Sequence, residues 1–230
     1  MAIRRYLKKI LDKVLPEESI EKSKEKWNSF AKKDAKFYVL TEEDKQDEET
    51  FKKTGAEDCR LYLETDTLIK ETIGPLSNAV VLEIGCGVGR ITEAISAVAK
   101  EVLAIDISEE MIEQAKKRLA SKENVTLFAT DGLTYPIEDN SVDVVFSFIV
   151  FQHMSSVDVV LNNLKEVGRV LKPGGIAKIQ VRGIPVSRSE WFYGPSFTEE
   201  KIKTLLAKTP LKLKKSEGEG EKYFWLWLTK

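Results

Sequence analysis

The sequence predicts an α/β protein with a seven-stranded, mostly parallel, doubly wound sheet, a C-terminal antiparallel hairpin and an N-terminal helical extension. Three observations predict it. Short apolar runs alternate with helical patterns from Ala79 onward. The first run, Val80-Val81-Leu82-Glu83-Ile84, passes through Gly85-Cys86-Gly87-Val88-Gly89 into a helical pattern. The chain then closes with two strand-like runs around Ser216-Glu217-Gly218-Glu219-Gly220.

Residues 2–15 place Ile3, Tyr6, Leu7, Ile10, Leu11, Val14 and Leu15 at helical spacing, with Arg5, Lys8, Lys9 and Lys13 opposite. Such a helix covers a core or a partner protein, or lies on an anionic membrane surface. Pro16 stops it, and a highly charged stretch with Trp27, Phe30, Phe37, Tyr38 and Phe51 follows. Residues 57–73 read as one helix, ended by Gly74-Pro75. The division expected is residues 1–73 as helical extension and lid, and 74–230 as the sheet domain. Within the latter, strands are expected at 79–84, 101–106, 124–129, 142–149 and 175–182, and helices at 88–99, 108–120 and 155–171. A helix over 198–208 precedes the hairpin strands at 211–215 and 223–229. Parallel strands joined through helices demand right-handed crossovers, which puts helices on both faces.

Bulk composition excludes several classes. With 36 basic and 37 acidic side chains the net charge is −1, so no global field favours nucleic acid. Cys59 and Cys86 make no disulfide framework, and a reducing cytoplasm is the simplest setting. No stretch is apolar for long enough to span a bilayer. No cluster of metal-ligating residues stands out either.

The glycine turn decides between ligands. Dinucleotide turns follow G-x-G-x-x-G, whose last glycine would fall where Arg90 stands. What is present is Glu83-Ile84-Gly85-Cys86-Gly87-Val88-Gly89, an E-x-G-x-G-x-G. Asp106 ends the second strand 21 residues after Gly85, the spacing of a carboxylate that receives two ribose hydroxyls. Its alternative role is to cap the next helix, for which Ser108 already suffices.

This arrangement resembles the class I, Rossmann-like S-adenosylmethionine-dependent methyltransferases of small-molecule type, over roughly residues 79–230. The terminal hairpin and Leu171-Lys172-Pro173-Gly174-Gly175 before strand five belong to the same pattern. The resemblance implies S-adenosylmethionine as cofactor and S-adenosylhomocysteine as product. It implies cofactor contacts at Glu83, Gly85, Cys86, Gly87, Gly89, Asp106, Ile107, Met111, Asp131, Gly132 and Ser147. Ile107 and Met111 would pack on adenine and ribose, and Asp131 would accept from the adenine amine. Residues 27–40 are similar to the lid of small-molecule members, which would bring Tyr38 over the methionine end. Neither the Asn-Pro-Pro-Tyr type of amine-binding sequence nor a Pro-Cys nucleophile is present, which disfavours nucleobase and glutamine acceptors.

Methyl transfer from a sulfonium needs alignment and water exclusion, and a base only where the nucleophile arrives protonated. The single histidine, His153, follows strand four, where a base would serve. Beyond strand five, Arg182 and Arg188 could meet an anionic acceptor, and Trp191, Phe192, Tyr193 and Pro195 suggest a partly apolar one. The expected activity is methylation of a small molecule, partly apolar or carrier-linked. The rivals are a protein or RNA methyltransferase and a cofactor-binding subunit without catalysis. Acceptor atom and oligomeric state stay open.

Overall fold

The computed structural model describes residues 18–40, 47–186, 190 and 193–230. The expected basic helix over 2–15, Arg188, Trp191 and Phe192 lie outside these residues.

Seven strands form one sheet in the order β3-β2-β1-β4-β5-β7-β6. They are β1 (Val80–Ile84), β2 (Glu101–Asp106), β3 (Val125–Ala129), β4 (Val142–Ser147), β5 (Leu171–Val181), β6 (Lys212–Glu217) and β7 (Phe224–Thr229). β1 lies between β2 and β4, parallel to both, and β7 alone runs against the direction of the other six strands. β1 is walled in on both edges and both faces, so Val81, Leu82 and Ile84 are buried, and Glu83 is buried with them. The strand order reverses between β1 and β4, so their carboxyl ends open a crevice there.

Helices α1 (Ile20–Val39), α2 (Glu48–Cys59) and α3 (Thr67–Ile73) precede the sheet. α4 (Arg90–Val98), α5 (Glu109–Arg118), α6 (Val157–Val170) and α7 (Glu199–Leu206) are interleaved with it. Local chemistry sets their starts. Ser19, Asp47, Asp66, Ser108, Ser156 and Thr198 each accept a hydrogen bond from the third residue onward. On one face, Leu164 and Val167 of α6 and Ile202 of α7 share a core with Leu82, Val145 and Ile179. On the other, Ile91 and Ile95 of α4 join Leu63, Ile69, Val144, Phe146 and Trp225. A smaller cluster seats α1 and α2 through Ala31, Ala35 and Phe51 against Val88 and Met111.

Several boundaries depart from the sequence expectation. Residues 57–73 are not one helix: α2 passes into a π-helical turn at Arg60–Glu64, and α3 restarts after Asp66. Asp66 forces the break. Its carboxylate caps α3 at the Ile69 amide and also receives Lys178 Nζ at 2.7 Å and Trp227 Nε1 at 2.8 Å. Strand four stops at Ser147 rather than 149, because Ile149 takes a positive φ of 59°. Strand five begins early, at Leu171, with its ladder interrupted before Ile176. No helix among the described residues is long and apolar enough to cross a membrane.

Candidate functional site

A single cleft gathers the carboxyl ends of β1, β2 and β4, the loop after β3 and one side of α1. It is lined by Glu83, Gly85, Cys86, Gly87, Arg90, Asp106, Ile107, Met111, Thr130 and Gly132 on the sheet side. Ile20, Ser23, Trp27, Tyr38 and Val39 close it from α1, and Phe148, Ile149, Val150, His153 and Met154 from the segment after β4.

The glycine loop is held from within. The amides of Gly85 and Cys86 both donate to the Ile105 carbonyl, at 2.7 and 3.0 Å. Gly89 N donates to Cys86 O, and Gly87 N to Asp106 Oδ2 at 2.9 Å. These amides are therefore spent on the protein itself and offer no cradle to a pyrophosphate. Gly85 (φ 74°) admits no larger residue, since a Cβ there would stand 2.2 Å from Val150 Cγ2.

Asp106 receives one backbone donor on each oxygen, Gly87 N on Oδ2 and Ser108 N at 2.8 Å on Oδ1. Each oxygen keeps a second lone-pair direction, enough for two vicinal hydroxyls. Burial raises the carboxyl above its ordinary value, and the Ser108 and Gly87 amides pull it back down. Ile107 and Met111 line the same cleft.

Glu83 is buried beneath the loop, and its Oε2 accepts from Thr92 Oγ1 at 2.6 Å. Burial pushes this carboxyl up to about 7, against the opposing pull of Thr92 and Arg90. Arg90 was not singled out by the sequence as a binding residue. Only 4% exposed, it pairs through Nη2 with Asp58 Oδ2 at 2.7 Å, while Nε and Nη1 have no partner among the described residues. A buried guanidinium with two unmatched donors is costly unless an anion or acceptor completes it. Burial also raises the Cys86 thiol well above its ordinary value, which makes it a packing residue of the loop.

Three expected contacts are engaged elsewhere. Asp131 is exposed, and its carboxylate accepts from Leu133 N, Thr134 N and Thr134 Oγ1 of its own loop. Its neighbours Thr130 and Gly132 face the cleft instead. Ser147 Oγ donates to Ile84 O at 3.1 Å, tying β4 to β1. Gly89, with φ 84°, serves as the residue before α4 and packs on Leu119. Arg182 is buried at the end of β5 and does not line the cleft, and neither do Tyr193 and Pro195.

Other cleft residues escaped the sequence. Asn163 of α6 donates to Gly132 O at 2.9 Å and accepts from Tyr135 Oη at 2.8 Å, so it shapes the loop after β3. A polar residue on an otherwise apolar helical stripe was the available signal for it. Tyr38 stacks on Phe30 at 3.9 Å between ring centroids, and Trp27 meets the His153 ring edge-on at 5.7 Å.

Comparison with known proteins covers the same region. Residues 82–179 match the methyltransferase domain family. Demethylmenaquinone methyltransferase of Staphylococcus aureus is 39% identical over 111 residues, 47% of this chain and 45% of that protein. The chain thus spans less than half the length of the curated relatives it matches. A SAM-dependent methyltransferase of Aquifex aeolicus is 25% identical, over 80% of this chain and 98% of that one, with a TM-score of 0.54. Phosphoethanolamine N-methyltransferase 1 of Haemonchus contortus is 18% identical over 92% of this chain and 50% of its own, with a TM-score of 0.66, and shares the fold. The matched stretch runs from β1 into β5, the part of the sheet that builds the cleft, and over it the chain resembles the class I, Rossmann-like S-adenosylmethionine-dependent methyltransferases.

Proposed function

We propose that this protein transfers the methyl group of S-adenosylmethionine to a small, largely apolar acceptor, a quinone-like ring being the class best supported. The observation that carries the reading is the pairing, in one cleft, of Asp106 with an incompletely satisfied Arg90 across a glycine loop whose Gly85, Cys86, Gly87 and Gly89 amides donate within the protein. In this reading Asp106 receives the ribose hydroxyls. Ile107, Met111 and Gly132 enclose the adenine, and Nε and Nη1 of Arg90 meet the cofactor's carboxylate. The bound cofactor supplies a methyl on a positively charged sulfur with a neutral thioether as leaving group.

The chain's own task is alignment and dryness. Trp27, Tyr38, Phe148, Val150 and Met154 give the cleft an apolar wall, which excludes water from the path between acceptor and sulfonium. Holding two reactants in line supplies roughly 7–11 kcal/mol of barrier reduction in well-oriented systems. The acceptor class is drawn from that wall together with the name of the Staphylococcus aureus relative.

Calorimetric titration with S-adenosylmethionine tests the cofactor half. Saturable heat is expected, with Asp106→Ala and Arg90→Met each weakening binding tenfold or more. Silence at millimolar ligand, or an Asp106→Ala protein that binds as tightly, would end the proposal. For the acceptor, methyl transfer from labelled cofactor is expected onto reduced demethylated quinones and not onto bulk RNA or protein. Label confined to either macromolecule would refute the small-molecule reading.

A further inference from the structure

Just beyond β4, Ile149 holds a left-handed backbone (φ 59°), a conformation that costs a β-branched residue on the order of 1–3 kcal/mol. Its amide donates to Gln180 Oε1 at 3.0 Å. Gln180 belongs to β5 and is fully buried. A backbone N–H can only donate, so this bond decides which end of the Gln180 amide is oxygen. The nitrogen end then faces oxygens alone: Gln152 Oε1 at 3.0 Å and the carbonyls of Val181 and Lys222.

The direction of donation propagates. With Oε1 of Gln152 accepting from Gln180, its Nε2 lies toward His153, 3.1 Å from the ring's Nε2. An amide nitrogen has protons and no lone pair to give. The imidazole Nε2 must therefore be the bare acceptor, and the ring proton sits on Nδ1. This is the reverse of the tautomer that neutral histidine prefers in water.

We infer that Gln180 and Gln152 are positioning residues that hold His153 in its Nδ1–H tautomer, with Nε2 closed to the acceptor's proton. The same Gln180 anchors the strained Ile149, so one buried side chain bears on two residues of the cleft lining, Ile149 directly and His153 through Gln152. The assignment of a role in methyl transfer rests on the function proposed above; the tautomer itself does not. The consequence for chemistry is selective. A group that cannot take a proton at Nε2 suits acceptors that ionise without a protein base at that atom, such as a ring hydroxyl acidic enough to release its proton to water before the methyl group arrives.

The chain contains one histidine, so the untagged protein labelled with imidazole-15N histidine reports His153 alone. At a pH where the ring is neutral, Nδ1 is expected to be the protonated nitrogen and Nε2 the bare one. A protonated Nε2 in the wild-type protein overturns the inference. In Gln152→Glu the carboxylate can only accept, so the proton is expected to move to Nε2. A variant ring unchanged from wild type would overturn it as well. Neither readout requires cofactor, so a protein silent in calorimetry but carrying Nδ1–H would refute the function while leaving the relay intact.

Discussion

At the residue scale, Glu83 carries the plainest energetic consequence. Its carboxyl titrates near 7 in the fold and near 4.5 when exposed, because burial penalises the charged form. Between those values the folded state holds a proton that the unfolded chain has lost, so stability falls as pH rises from about 4.5 to 7. A shift of this size corresponds to about 3 kcal/mol. Glu83→Gln keeps an acceptor for Thr92 Oγ1 and never ionises. Its unfolding midpoint should match wild type near pH 4.5 and exceed it at pH 8, and parallel curves across that range would refute the assignment. Glu83, Gly85 and Asp106 were readable because their spacing is local to one strand-turn-helix unit and the next strand. Arg90 was not, since its meaning depends on Asp58 from a distant helix and on two donors left without acceptors among the described residues.

At the element scale, α2 lies against α4 at Gly55, where a Cβ would come within 2.2 Å of the Arg90 carbonyl oxygen. In an exposed helix, Gly→Ala stabilises by about 1 kcal/mol. Here the sign should reverse: Gly55→Ala has to push α2 off the end of the glycine loop and should cost about 1–3 kcal/mol in denaturant unfolding, and a gain in stability would contradict this packing. The same reasoning explains the broken helix over 57–73. Its apolar spacing alone supports continuity. The interruption comes from Asp66, which the sheet recruits through Lys178 and Trp227, with Lys178 Nζ lying 5.0 and 4.7 Å from the Trp225 and Trp227 ring centroids. Propensity acts within a segment, and this partnership reaches across the chain.

At the scale of the whole molecule, α1 roofs the cleft while resting on the sheet domain through one small apolar cluster and a few polar contacts, such as Asn28 Oδ1 with Ser108 Oγ at 2.8 Å. An occupant of the cleft joins roof and floor. S-adenosylhomocysteine at a hundred times its dissociation constant should stabilise the protein by about 2.7 kcal/mol. For a chain of this size that raises the melting midpoint by roughly 5–11 °C. Amide exchange should slow in α1 as well as in the loop after β1; slowing of the loop alone would show that α1 is no part of the site.

By itself the sequence determined the order of the strands and helices after Ala79, the terminal hairpin, and a non-dinucleotide glycine turn with Asp106 placed behind it. Those are properties of short stretches, written in hydrophobic period and in the few residues that tolerate a turn. Only the tertiary structure decided that Asp131 bonds to its own loop, that Arg90 keeps two donors in reserve, and that two buried glutamines orient one imidazole. Each of those is a hydrogen-bond partnership. A polar side chain in a sequence declares what it can donate or accept, and burial beside a distant strand or helix settles which partner it finds.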